Sequence, residues 1–171
     1  MKRNIFIEGE IKSGKSYILN SILRKLNINY GGFITYPFYE NSLRLGFKIK
    51  DILTQEEEIC AIHNSDGNLI IFKNAFDNLG VNALNNALLN SELIVMDELG
   101  FLEEVSKKFK DKVIEVLNRE KIVIGVIKEK KNSFLNEISK MGKIYKVSFS
   151  NKEEIINEIV KEVSNWISMK I

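Results

Sequence analysis

Three runs of apolar residues carry no polar alternation: Ile5-Phe6-Ile7, Leu93-Ile94-Val95-Met96 and the stretch from Ile122 to Ile127. Runs this short and this continuous predict strands buried on both faces, as in a parallel sheet, and the first is placed over Asn4–Glu8. Between them apolar residues recur at helical spacing. Tyr17, Ile18, Ile22, Leu23 and Leu26 predict a helix over Lys15–Leu26; Leu79, Ala83, Leu84, Ala87 and Leu88 predict one over Asp77–Asn90. Val105, Phe109, Val113, Val116 and Leu117 predict a third over about Glu103–Leu117. The last helix, Lys152–Met169, shows Ile156, Ile159, Val160, Val163, Trp166 and Ile167 on one face, with Trp166 read as core.

Shorter signals fill the gaps. Gly31 to Tyr36 reads as a strand opening after a glycine turn and ended by Pro37, the sole proline. Leu43 to Ile52 alternates apolar and polar positions, the mark of an antiparallel strand with one wet face. Thr54 to Asn68, with its run Glu56-Glu57-Glu58 and the turn Ser65-Asp66-Gly67-Asn68, reads as a loop with little regular structure, the glutamates forming a solvated face or a cation site. Leu69–Phe72 is a short strand, Phe134–Met141 a short helix and Ile144–Ser148 a last strand. Strands and helices alternate along most of the length without an internal repeat, which predicts an α/β fold with a mostly parallel central sheet flanked by helices.

Composition narrows the function classes. The 171 residues fit one domain spanning 1–171, large enough to bury a core without staples. A formal net charge of +2, with Lys and Glu interleaved throughout, gives no electrostatic footprint for nucleic acid or an anionic membrane. Cys60 and His63 stand alone as cysteine and histidine, so a disulfide and a Cys/His zinc site are excluded. No apolar run approaches the roughly 18 residues of a membrane helix and no signal peptide opens the chain, so a soluble cytoplasmic protein is expected, as a monomer.

The stretch Gly9-Glu10-Ile11-Lys12-Ser13-Gly14-Lys15-Ser16 has the form G-x-x-x-x-G-K-S and lies between the first strand and the first helix. That is the pattern of a phosphate-binding loop (Walker A). The glycines let backbone N–H groups converge on phosphate oxygens, Lys15 places a charge on the β- and γ-phosphates, and the Ser16 hydroxyl is placed to ligate Mg²⁺. Gly9, Glu10, Ile11, Lys12, Ser13, Gly14, Lys15, Ser16 and Tyr17 are the expected nucleotide-binding set. The helix that follows points the positive end of its dipole at the same anion.

The expected partner of this loop is Asp97-Glu98, at the end of the Leu93–Met96 strand. Ligands collect at the carboxyl ends of parallel strands, so Asp97 is the candidate metal-associated acid beside Ser16. Glu98, one residue on and pointing differently, is the candidate to orient or deprotonate an attacking water. Both acids would also suit an ordinary strand-to-helix turn. Positive charge on the transferred phosphoryl group has several candidate donors: Arg44, Arg119 and the cluster Lys128, Lys130 and Lys131.

The order of the phosphate loop, Gly32-Phe33-Ile34-Thr35, Leu45-Gly46-Phe47, Phe76-Asp77-Asn78-Leu79 and Ile94-Val95-Met96-Asp97-Glu98-Leu99-Gly100, with Glu103, Ser106 and Phe109, closely resembles the small archaeal and bacterial nucleoside-triphosphatases of the THEP1 type. The resemblance covers nearly the whole chain. It implies a RecA-like P-loop NTPase fold with some antiparallel strands and Mg²⁺-dependent hydrolysis of ATP, GTP and other nucleoside triphosphates. The chain departs from the family pattern at Tyr39 and Phe101, where basic residues are common, and at Asn151-Lys152, where Asn-Arg is. Three outcomes remain open from the residues: a hydrolase, a kinase acting on a nucleoside, nucleotide or polynucleotide hydroxyl, and a nucleotide switch that a partner activates by donating the missing arginine.

Overall fold

A computed structural model of the chain describes residues 2–100, 102–129 and 132–169. Its centre is an eight-stranded sheet of β1 (Arg3–Gly9), β2 (Tyr30–Glu40), β3 (Leu43–Asp51), β4 (Glu57–His63), β5 (Leu69–Ile71), β6 (Leu93–Leu99), β7 (Ile122–Lys128) and β8 (Lys143–Lys146). The strands lie in the order β5-β4-β3-β2-β6-β7-β1-β8. β2, β6, β7, β1 and β8 run parallel, and β3, β4 and β5 continue the β2 edge as an antiparallel meander.

Alternation along the parallel strands sorts the core into two layers. Ile5 and Ile7 face α1 (Lys15–Leu26) and α6 (Lys152–Ser168), meeting Ile18, Ile22, Ile159 and Trp166. Phe6 points the other way, into the layer closed by α3 (Val81–Asn90), α4 (Lys107–Leu117) and α5 (Ser133–Ser139), where Phe33, Phe76 and Phe109 are fully buried. A short helix, α2 (Lys73–Ala75), runs through a π-helical turn at Phe76–Gly80 into α3, so the helix predicted over 77–90 begins earlier and is irregular at its start.

Three further expectations are corrected. Pro37 does not end β2, which pairs with β3 through Glu40, Pro37 lying opposite Phe47. The β6 partner of β2 stops at Ile34, so Pro37 falls where one edge is already free and its missing N–H costs no ladder bond there. Gly31 and Gly32 lie inside β2, as in the strand predicted from Gly31, and β2 begins one residue earlier at Tyr30. Gly32 has φ +117°, and a Cβ there would sit 2.0 Å from the Val95 carbonyl oxygen, so glycine is required for β2 to lie against β6.

The stretch 54–68 holds β4 rather than a loop. One of its acids has polar cross-strand partners: Glu57 lies opposite Lys50, bonds the Tyr36 hydroxyl and pairs with the Lys48 ammonium. The helix predicted from Glu103 is a 3₁₀ turn over Leu102–Val105 followed by α4, because the buried Ser106 accepts from the Phe109 N–H at 3.0 Å and caps a new start. The same hydroxyl donates to Asp77, whose carboxyl is held below its ordinary range first by Lys73 and then by Ser106.

Candidate functional site

β1 delivers the chain to Gly9, and α1 begins at Lys15. The turn between them needs left-handed backbone at Lys12 (φ 62°) and Gly14 (φ 97°). Gly9 has no room for a side chain: a Cβ would lie 2.6 Å from Ser13 Oγ and 3.1 Å from Val147 Cβ. The first turn of α1 has neither a side-chain cap nor an acidic residue, which leaves its N–H groups and dipole end for an anion. Lys15 is buried, its ammonium donating to the carbonyl oxygens of Gly9 (2.8 Å) and Glu10 (2.6 Å). Ser16 is exposed in the first helical turn, and the Tyr17 hydroxyl is turned toward α6, donating to Glu153 at 2.9 Å.

Strand register brings the acids to the same edge. Gly9 of β1 lies opposite Lys128 of β7, and Val126 of β7 lies opposite Asp97 of β6. Glu98 is the extra residue of a β-bulge between Asp97 and Leu99, and the Asp97–Glu98 peptide bond is cis. Glu98 stands between two ammonium groups, Lys15 at 3.7 Å and Lys128 at 3.4 Å. The Asp97 carboxyl is pushed up to about 7 by burial and by the neighbouring Glu98 charge, against the pull of Lys15.

Glu98 also borders a recess of about 20 Å³ lined by Thr35, Phe47, Gly100, Leu102 and Lys128. The Thr35 hydroxyl is buried there and has no hydrogen-bond partner among the described residues. A volume of this size admits about one water, and Thr35, Glu98 and Lys128 offer it polar contacts. Gly100 makes room for Lys128, since a Cβ at Gly100 would approach Lys128 Cδ to 3.0 Å.

The sequence therefore named Lys15, Asp97 and Glu98, and the fold brings them together. Of the cation candidates, Lys128 is in place. Arg119 follows α4, pairs with Glu115 at 3.0 Å and lies before the start of β7, at the opposite edge of the sheet from Gly9. The Arg44 guanidinium packs 5.4 Å from the centre of the Phe47 ring, one side chain away from the Glu98 recess. Phe101, Lys130 and Lys131 lie outside the described residues. Sequence reasoning gave Thr35 no role and did not find Phe149, an aromatic 98 % exposed in the connection after β8, flanked by Ser148 and Ser150. An aromatic between serines just past the carboxyl end of a strand was the available signal.

Oxygen donors from Ser16 and Asp97 suit a hard cation, and among the described residues no group of three or more His, Cys, Asp or Glu could hold a metal by itself. This set fits Mg²⁺, which takes one or two carboxylates and completes its shell with water and substrate phosphates. No described helix is long and apolar enough to cross a membrane.

A loop of this form between an inner parallel strand and its helix, with an acidic strand end two strands away, defines the α/β class of P-loop NTPases. A family model described as NTPase matches residues 4–160, and the chain belongs to that family of THEP1-type proteins. Nucleoside-triphosphatase THEP1 of Methanocaldococcus jannaschii is 37 % identical over 131 residues, 72 % of this chain and 76 % of that one. The protein of the same name from Thermotoga petrophila is 33 % identical over 133 residues, 75 % of this chain and 73 % of that one. Among solved structures, THEP1 from Aquifex aeolicus superposes with a TM-score of 0.75 at 24 % identity, covering 91 % of this chain and 96 % of that one. A human cancer-related nucleoside triphosphatase superposes at 0.78 with 22 % identity, covering 95 % and 98 %. These two establish the likeness of fold.

Proposed function

We propose that the chain hydrolyses nucleoside triphosphates, ATP and GTP among them, to the diphosphate and phosphate in a Mg²⁺-dependent reaction. The observation that carries the reading is the Glu98 carboxylate at the mouth of a one-water recess, 3.7 Å from the phosphate-loop lysine. The backbone N–H groups of 9–14 and the N-terminus of α1 hold the phosphates, and Lys15 exchanges its bonds to the Gly9 and Glu10 carbonyls for phosphate oxygens. Ser16 and Asp97 hold Mg²⁺, which when bound neutralises charge on the β- and γ-phosphates.

Glu98 and the Thr35 hydroxyl hold the attacking water. Its oxygen bonds to the γ-phosphorus while its proton passes to Glu98, and the bond from that phosphorus to the β–γ bridging oxygen breaks, the electron pair leaving on the diphosphate. Lys15 and Lys128 meet the charge that develops.

Lys15→Ala should abolish triphosphate binding, whereas Glu98→Gln should keep it and lose at least a hundredfold in phosphate release, about the lower contribution of a positioned general base. Wild-type release by Glu98→Gln would refute the assignment of the base. A kinase reading draws on a cavity of about 180 Å³ where Gln55 and Lys50 meet Asp97. Phosphate release in water without an acceptor favours hydrolysis; turnover that appears only with a nucleoside or nucleotide acceptor favours transfer.

A further inference from the structure

We propose that the cavity between the phosphate loop and the connection from β8 to α6 is the nucleoside pocket, with Phe149 as the platform on which the base stacks. The inference rests on the triphosphate reading above. The cavity measures about 440 Å³, within the usual range of small-molecule sites, and is lined by loop residues 10–13 and by Val147, Ser148, Phe149 and Lys152.

Loop and connection form one continuous surface. Lys152 Cε lies 2.9 Å from where a Cβ on Gly14 would be, and Val147 packs on Gly9. Strand order then sets the direction of the ligand. Glu98 reaches the loop from the β7 side of β1, and β8 flanks β1 on the other side. A nucleotide lying across the loop with its γ-phosphate toward Glu98 has its base over the end of β8.

The Phe149 ring is 98 % exposed, an expensive placement for an aromatic side chain, and the turn that presents it is tied on both sides. Asn151 accepts from the Ser148 N–H at 2.8 Å and donates to the Lys146 carbonyl at 2.9 Å. Ile11, 81 % exposed, lines the same cavity and offers it a second apolar face. A planar base between the two removes apolar surface from water on both of its faces, and stacking of this kind recognises the π-face that every base carries.

The test compares ligands with and without a base by calorimetric titration in Mg²⁺, using inorganic tripolyphosphate and non-hydrolysable analogues of ATP, GTP, CTP and UTP. Phe149→Ala should weaken each nucleotide roughly tenfold, within the range for one base–aromatic stack, and leave tripolyphosphate unchanged. Phe149→Trp should restore the nucleotides. Unchanged nucleotide affinities in Phe149→Ala would overturn the proposal. So would an equal loss for tripolyphosphate, which would assign Phe149 to loop shape, or a loss confined to one base. If the wild-type chain binds neither nucleotides nor tripolyphosphate, the phosphate-site reading itself falls and takes this inference with it. Nucleotide binding that is independent of Phe149 sinks the platform alone.

Discussion

At Glu98 the ladder between β6 and β7 takes in one extra residue, and that insertion separates the directions of two adjacent acids. Asp97 lines the cavity on the α1 side with Leu19 and Leu23, while Glu98 lines the recess with Thr35 and Phe47. In the proposed reaction the buried Thr35 hydroxyl, without a protein partner among the described residues, holds the water assigned to Glu98. Thr35→Val keeps the shape and removes the hydroxyl, so kcat should fall roughly tenfold, the scale of one lost hydrogen bond, with KM nearly unchanged. Steady-state phosphate release measures this, and an unchanged kcat with raised KM would place Thr35 in binding instead. Lys15, Asp97 and Glu98 were legible in the sequence because their meaning is local: a loop pattern before a helix and acids at a strand end. Lys128 was legible as one of several cation candidates just past the end of its strand, but its selection over Arg44, and the place of Thr35, depend on register between strands distant in sequence, which one chain read in order does not signal.

Among the elements, the misread ones are those whose stability comes from partners rather than from their own pattern. β4 looks like an acidic loop until Lys48 and Lys50 of the neighbouring β3, and Tyr36 of β2 beyond it, are set against Glu57. Helix α4 is the reverse case: its apolar spacing was readable, while its start was set by one serine. Ser106 is fully buried, caps α4 through the Phe109 N–H and donates to Asp77 at the π-helical turn before α3, so it ties two helix starts together. Ser106→Ala removes the cap and a hydrogen bond to a carboxylate, and should cost about 1–3 kcal/mol of stability. Urea unfolding reads this as a lower midpoint at unchanged slope, with phosphate release per folded molecule retained. A loss under about 0.5 kcal/mol would mean that the π-helical turn, and not Ser106, fixes the register of the two helices.

For the molecule as a whole, the strand order is the fact the sequence withheld. Alternating elements predicted a parallel sheet, and β7 in fact lies between β1 and β6, so the loop and its acids meet across a strand. Lys128 of that intervening strand is thereby carried to Glu98, and β8 on the far side carries Phe149 to the opposite end of the loop. A ligand lying along this edge touches four separate stretches of chain and should stabilise all of them together. At a hundred times its dissociation constant, a non-hydrolysable Mg²⁺–triphosphate analogue contributes about 2.7 kcal/mol, which for a chain of this size raises Tm by roughly 5–10 °C. Scanning calorimetry should show that rise in the wild type and in Glu98→Gln, whose phosphate contacts are intact, and none in Lys15→Ala. Chelating Mg²⁺ should shrink the rise without abolishing it, because the loop N–H groups and Lys15 bind phosphate on their own. A full shift in Lys15→Ala would put the triphosphate somewhere other than this loop, and a shift indifferent to chelation would remove Ser16 and Asp97 from the metal.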